Sequence, residues 1–374
     1  MMRDTWQEVA PGTRVVVAMS GGVDSSVAAA LLVERECDVI GITMKNFCYA
    51  DLPEERSAAA CCSLEAIEDA RAVARALGIR HHVLDFEGPF REAVIDPFVE
   101  EYAAGRTPNP CVRCNRFVRF PRLWQKARLL GAEFVATGHY ARAIRNGGVC
   151  LHRPVDRAKD QTFYLWGLGP PLLARALFPL GEMKKDEVRM RARGLGLASA
   201  ARPESQDICF IPDGDLRGFL ERHRAEQPEL AQERFSPGPV LSAAGERLGT
   251  HSGSAFLTVG QRRGLGVTAG RPLYVTRVAA GNTIVAGGEE ELYAAELEAE
   301  DVNWLVPPPS GSIRVSAQIR YRSVAAAAGL TPGPSRTVRV CFDEPQRAIA
   351  PGQSAVFYDG DRLLGGGTIT RAGG

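Results

Sequence analysis

Residues 15–32 read VVVAMSGGVDSSVAAALL. Within a few residues a β-branched run gives way to small residues, two glycines and then an alanine-leucine helix pattern, so a buried strand must turn straight into a helix. In a doubly wound sheet that turn exposes backbone N–H groups and the positive end of the helix dipole, which suits an anion. Gly21 and Gly22 permit the tight turn and a close approach by phosphate, and Ser20, Ser25 and Ser26 add hydroxyl donors. Asp24 beside a polyanion makes sense if it helps to hold Mg²⁺ together with substrate phosphates. The loop lacks the Gly-Lys-Ser/Thr ending of the Walker type, which argues against γ-phosphoryl chemistry of that class, and it lacks the GxGxxG spacing of a dinucleotide fold.

The rest of the first half continues the alternation. Strand patterns at 39–44 and 81–86 and a short one at 134–137 are interleaved with helix patterns at 63–77, 90–104 and 116–130, which implies crossover units on a mainly parallel sheet. From about Gly238 the texture changes to short β-rich pieces such as PLYVTRV, NTIVAG, RTVRVCF and QSAVFYD, punctuated by Gly and Pro, as in an antiparallel barrel or sandwich. The expected organisation is an α/β domain over 1–204 with a doubly wound parallel sheet, a small connecting domain over 205–275, and a C-terminal antiparallel β-barrel over 276–374. With 374 residues, 45% of them hydrophobic, two or three such cores are affordable.

The net charge of +1 gives no bulk argument for a polyanionic partner. Local clustering has to carry that question. Arg113, Arg116, Arg119, Arg122, Lys126 and Arg128 occur with no acid among them, and Lys184, Lys185, Arg189, Arg191 and Arg193 form a second cluster. Such clusters either track a phosphate backbone or form a solvated helix face. No apolar run reaches the roughly 18 residues of a membrane helix and no leader precedes the first strand, so a soluble, cytoplasmic protein with no membrane partner is expected. Nine cysteines scattered over a chain of this size point to reduced thiols rather than a secreted disulfide framework.

SGGVDSS resembles the pyrophosphate-binding loop of the ATP pyrophosphatases, which activate a substrate oxygen as its adenylate. GRTPNPCVRCNRFVRF at 105–120, ATGHYAR at 136–142, KDQTFYL at 159–165, ESQDICFI at 204–211 and IRYR near the C-terminus add to this. In that order they resemble the bacterial tRNA-specific 2-thiouridylase family, from about Arg14 almost to the end. The resemblance implies an ATP-dependent sulfurtransferase that adenylates the 2-oxygen of the wobble uridine and replaces it with sulfur. It places ATP against Ala18, Met19, Ser20, Gly21, Gly22, Val23, Asp24, Ser25, Met44 and Gly138, with Mg²⁺ as companion. It makes Cys209 the persulfide carrier, loaded by a sulfur donor or relay protein, and Cys114 the nucleophile that ends in a disulfide with it. It assigns Asn109, Pro110 and Cys111 to a flipped target base. His139, Lys159, Asp160, Gln161, Arg320, Tyr321 and Gln353 match tRNA-contacting positions, and the C-terminal barrel takes part in tRNA binding.

One departure matters. Many family members carry aspartate where this chain has Cys111, which here makes a CxxC pair with Cys114. A CxxC can lower a thiol pKa, form a redox pair or ligate a metal. An alternative reading has Cys111, Cys114 and Cys209 holding an iron–sulfur cluster in place of a persulfide, although the spacing is not a ferredoxin pattern. A zinc site using Cys48, Cys61, Cys62 and Cys111 is a further alternative, and so is an adenylating ligase of the GMP-synthetase type, which needs neither Cys114 nor Cys209. Cys37, Cys150 and Cys341 are expected to be buried as small hydrophobes.

Overall fold

The computed structural model describes residues 4–47, 64–145, 147–201, 208–227, 232–267 and 269–373. The chain divides into two compact units. The first comprises residues 1–94, 111–214 and 361–364, and the second 95–110, 215–360 and 365–374.

The first unit is built on a parallel sheet. Strands β1 (Arg14–Ala18), β2 (Asp38–Lys45), β3 (Arg80–Asp85), β4 (Phe134–Ala136) and, after a hairpin of β5 (Arg142–Arg145) and β6 (Val149–His152), the two-residue β7 (Ala176–Leu177) lie in the order β3-β2-β1-β4-β7. Every pairing in the sheet is parallel. The order reverses at β1, whose neighbours are β2 on one side and β4 on the other, so the turn leaving β1 sits at the topological switch point where such sheets bind ligands. Val15, Val16 and Val17 are fully buried, as expected for a strand covered on both faces.

The turn leads into the helix Val23–Glu34, which is buried nearly all round through Ser25, Ser26, Val27, Ala28, Ala29, Ala30 and Leu32. Its core partners include Val73 and Ala74 of the helix Leu64–Ala76 and Val188 and Ala192 of the helix Lys185–Gly194. Small residues allow the helix to be packed from several sides; a helix apolar on all faces has to be internal.

The second unit contains a closed barrel. Strands β12 (Tyr293–Trp304), β13 (Ile313–Gln318), β14 (Ala326–Pro332), β15 (Val338–Arg347), β16 (Ser354–Asp359) and β17 (Arg362–Gly373) run in the order β12-β15-β14-β13-β16-β17, and β17 pairs back onto β12. Closure removes the free edges. The unit also holds a four-stranded sheet of β8 (Gly238–Leu241), β9 (Arg247–His251), β10 (Tyr274–Ala279) and β11 (Thr283–Gly287), in which β8 and β11 are parallel and the other pairs antiparallel. Val240, Leu257, Val275 and Ile284 form its core.

Cys37 and Cys150 are buried as expected, but Cys341 is exposed. The reason is strand phase. Val338, Val340 and Phe342 point into the barrel, and the period of two turns Cys341 outward, where its Sγ donates to Glu296 Oε1 at 3.5 Å. Among the described residues no helix is long and apolar enough to cross a membrane.

Candidate active site

The turn after β1 is shaped by a left-handed residue and by serines. Gly21 has φ +75°, and a Cβ there would stand 2.3 Å from the Ala66 carbonyl oxygen, so only glycine fits. Ser20 N–H donates to Ser25 Oγ at 3.2 Å, while the Ser25 and Ser26 hydroxyls donate to the Gly22 carbonyl at 3.0 and 2.9 Å. The helix Val23–Glu34 has no side-chain cap at its N-terminus. Its first-turn N–H groups are therefore available to an anion.

A cleft of about 200 Å³ opens beside the turn, lined by Ala18, Met19, Ser20, Asp24, Ser25, Ile42, Met44, Asn46, Arg119, Thr137, Gly138, His139 and Gln161. Of the positions expected to meet ATP, Ala18, Met19, Ser20, Asp24, Ser25, Met44 and Gly138 are on this wall; Gly21, Gly22 and Val23 are not, and the Val23 side chain is buried. A Cβ on Gly138 would come within 2.7 Å of the Asp24 carbonyl carbon and the Ser25 nitrogen. That glycine lets the turn after β4 close against the turn after β1.

Asp24 is held from two sides. Lys185 Nζ lies 2.7 and 2.8 Å from its carboxylate oxygens, and the Tyr140 hydroxyl donates to Oδ1 at 2.9 Å. Lys185 opens its helix and its own N–H donates to Asp156 Oδ2 at 2.9 Å. In the sequence Lys185 is one of a basic cluster, and nothing in its local pattern singles out the buried member.

His139, matched to a tRNA-contacting position, faces the cleft beside the turn after β1. Its Nδ1 is 2.8 Å from Thr137 Oγ1, its Nε2 is 3.5 Å from Arg119 Nη1, and its ring lies against Phe120 and Phe178. Burial, reinforced by the Arg119 charge, pushes its pKa down to about 3, so the imidazole is neutral and its Nε2 accepts from the guanidinium. Gln161 also lines the cleft, its Oε1 accepting the Tyr140 N–H at 2.9 Å. Asp160 is committed to Arg153 at 2.6 Å and to the Thr162 N–H and hydroxyl. Lys159 ends the short 3₁₀ turn before it.

The first basic cluster is not one face. Residues 110–129 form a helix interrupted by a π-turn over Cys114–Arg119. Arg113 Nε donates to the Ala93 carbonyl at 3.0 Å, Arg116 lies over the Phe117 and Trp166 rings, and Arg119 donates to Asn115 Oδ1 at 2.9 Å. Arg122, Lys126 and Arg128 are exposed.

Cys111 is exposed, Cys114 buried and Cys209 partly buried. Burial pushes the Cys114 thiol up, and the Arg119 charge and backbone N–H oppose this. The segments carrying Cys114 and Cys209 share a support. Phe210, next to Cys209, packs edge-on to Phe90 at 5.8 Å, and Arg113, next to Cys114, bonds Ala93 three residues on. Among the described residues no three of His, Cys, Asp or Glu are grouped to hold a metal ion, so Cys111, Cys114 and Cys209 present no ready-made cluster site. Cys48, Cys61 and Cys62 of the zinc alternative lie outside the described residues.

Within the second unit, Gln353 Nε2 donates to the Thr107 and Pro108 carbonyls at 3.0 and 3.3 Å and so holds the strand of chain entering Asn109 and Pro110. Arg320 donates to the Arg347 carbonyl at 2.7 Å, and the Tyr321 carbonyl accepts from Gln318 at 2.8 Å.

A parallel sheet with an uncapped, serine-rich helix entry at its switch point defines an α/β domain built to receive an anion there. Comparison with known proteins gives the family. Residues 13–213 match the family described as tRNA methyl transferase HUP domain, residues 229–288 its PRC-barrel domain, and residues 294–369 the aminomethyltransferase beta-barrel domain. The tRNA-specific 2-thiouridylase MnmA of Symbiobacterium thermophilum is 48% identical over 96% of this chain and 92% of its own. That of Pelotomaculum thermopropionicum is 48% identical over 96% and 98%. Among solved structures, a 4-thiouridine synthetase in an RNA complex with bound ATP is similar at TM-score 0.37 and 18% identity, covering 59% of this chain and 53% of that one. The chain belongs to the tRNA-specific 2-thiouridylase family.

Proposed function

We propose that the protein is an ATP-dependent tRNA sulfurtransferase that converts the wobble uridine to 2-thiouridine. The observation that carries this reading is the uncapped turn at Ser20–Ser25 opening on a cleft walled by Arg119, from the same helix as Cys114. In this reading the free N–H groups and serine hydroxyls receive the ATP phosphates, and the Met19, Ile42 and Met44 wall receives the base. The flipped uridine oxygen attacks the α-phosphorus and pyrophosphate leaves. Stabilising charge that develops on phosphate oxygens is the task of fixed donors, here the helix N-terminus with Lys185 and Arg119 nearby. Mg²⁺ enters with the phosphates. Asp24 is the carboxylate on the wall, already bonded to Lys185 and Tyr140, so the ion would be held chiefly by phosphate oxygens and water.

Sulfur transfer then needs two thiols. The terminal sulfur of a Cys209 persulfide attacks carbon 2 and AMP leaves. The Cys114 thiolate attacks the Cys209 sulfur, the electron pair of the breaking S–S bond stays on the sulfur bound to the base, and a Cys114–Cys209 disulfide remains for a cellular dithiol to reduce. Asn109, Pro110 and Cys111 are assigned to the target base, and His139, Lys159, Asp160, Gln161, Arg320, Tyr321 and Gln353 to tRNA docking, directly or by holding the segments that touch it. A tRNA substrate and a thiol reductant place the reaction in the cytoplasm. Nucleoside mass spectrometry of unmodified tRNA, after incubation with the protein, ATP, Mg²⁺ and a persulfide source, tests the reading. 2-Thiouridine that disappears with Cys209→Ser supports it; no thiolated nucleoside overturns it.

A further inference from the structure

Among the described residues one polar atom on the cleft wall has no hydrogen-bond partner. Asn46 is 7% exposed and its Oδ1 is buried without a hydrogen bond. A buried acceptor left unpaired is costly, and one facing a binding cleft calls for a ligand donor.

The position of Asn46 follows from strand geometry. Ile42 and Met44 are alternate residues of β2, so their side chains share a face, and Asn46, directly after the strand, continues the row. The Phe86 N–H bonds the Lys45 carbonyl at 2.8 Å, which holds the chain extended as it leaves the sheet. All three line the cleft. The same wall carries Ser20, Asp24, Ser25 and the helix N-terminus. The cleft thus combines anion donors, an apolar stretch of Met19, Ile42 and Met44, and the unpaired amide oxygen of Asn46. A planar heterocycle fits the apolar stretch, with the Met44 thioether suited to a ring face or edge.

We propose that Asn46 is a nucleobase-specificity residue: its Oδ1 accepts a hydrogen bond from the exocyclic 6-amino group of adenine. This rests on the reading of the cleft as an ATP site and adds to it a basis for choosing ATP. A 6-oxo purine sets a carbonyl lone pair against Oδ1 instead of an N–H, so the site rejects guanine and hypoxanthine by leaving two acceptors unpaired. Sites built to bond a particular polar group discriminate strongly against analogues that lack it.

Equilibrium binding of three triphosphates in the absence of tRNA tests this: ATP, purine riboside triphosphate, which lacks the 6-amino group, and inosine triphosphate. The wild-type protein should bind ATP about 10- to 100-fold more tightly than the other two. Asn46→Leu should bind ATP and purine riboside triphosphate equally, at the weaker level, whereas Asn46→Asp, which keeps an acceptor there, should retain the preference for ATP. Equal affinity of the wild-type protein for ATP and purine riboside triphosphate overturns the proposal without recourse to any variant, and so does an unchanged preference in Asn46→Leu. Absence of binding by all three triphosphates overturns the ATP site itself, a separate outcome.

Discussion

Lys185 Nζ contacts both carboxylate oxygens of Asp24, at 2.7 and 2.8 Å, across 161 residues of sequence. The pair is unequal: the Lys185 side chain is 8% exposed and that of Asp24 32%. Removing one partner leaves the other charge unpaired, and the penalty grows with burial. Asp24→Asn, which strands the more buried lysine, should therefore destabilise more than Lys185→Gln, with a cost of about 2–4 kcal/mol against about 1–2 kcal/mol. Denaturant titration reads the order directly. Both variants should lose ATP-dependent pyrophosphate release at least about tenfold while still binding tRNA. Normal release in Asp24→Asn would refute the assignment of the loop.

The glycines of the site separate by what surrounds them. At Gly138 an added methyl meets backbone of Asp24 and Ser25 at 2.7 Å, whereas at Gly22 the nearest atom is Ser20 Oγ at 3.5 Å and φ is −82°. Gly138→Ala should cost about 1–3 kcal/mol by forcing the two turns apart and should also weaken ATP binding. Gly22→Ala should melt within a degree or two of the wild-type protein, yet bind ATP more weakly because the methyl occupies the approach to the phosphates. Thermal melts with and without ATP distinguish the two.

Two buried titratable groups give opposite pH dependences. For His139 the folded pKa of about 3 is below the ordinary 6.5, so the unfolded chain binds the extra proton and this contribution is present above pH 6.5 and lost as pH falls toward 3. For Asp4, burial outweighs Arg142 and Glu182 adds to it, raising the pKa from 3.8 to about 6. Its contribution is present below pH 3.8 and lost as pH rises through 6. The slopes partly cancel over pH 4–6. In Asp4→Asn the loss of stability on acidification should therefore steepen. At pH 7 that variant should exceed the wild-type protein by roughly 3 kcal/mol. In His139→Gln the acid-side loss should shrink. Urea denaturation at unit pH steps checks all three curves.

The CxxC pair should react as two unlike thiols. Cys111 is exposed, while burial raises the Cys114 pKa, so iodoacetamide at pH 7.5 should label Cys111 at least about tenfold faster. Peptide mapping by mass spectrometry gives the order. Cys111→Ser should retain thiolation and Cys114→Ser should lose it; loss in both would move Cys111 into the sulfur-transfer chemistry.

The strand–turn–helix at 15–32 was legible because hydrophobic period, glycine and serine all point to one local structure, and the barrel because alternation and turn residues recur. Cys341 was misjudged because composition says nothing about strand phase. Asn46 and Arg119 reach the cleft, and Lys185 reaches Asp24 on its wall, from segments far apart in the chain, so no local pattern brings them together. Residues 90–104 and 116–130 read as plain helices, but the structure interrupts each pattern with a π-turn, over Arg91–Ile95 and Cys114–Arg119; periodicity averages over a single wide turn and hides it.

The wide turn at Cys114–Arg119 also fixes a rotational setting. Removing one residue there would let residues 110–129 close as an uninterrupted α-helix. The wide turn takes up one residue more than an α-turn, so the helix on either side of the deletion would keep its facing and only the residues of the turn itself would be reset. Leu123 and Ala127 would keep their places in the core while Cys114 and Asn115, which belong to the turn, left theirs. The count of residues between Cys114 and Leu123 is thus as much a determinant of reactivity as the cysteine itself. A shortened chain would fold, keep every side-chain type, and present its thiol in the wrong direction.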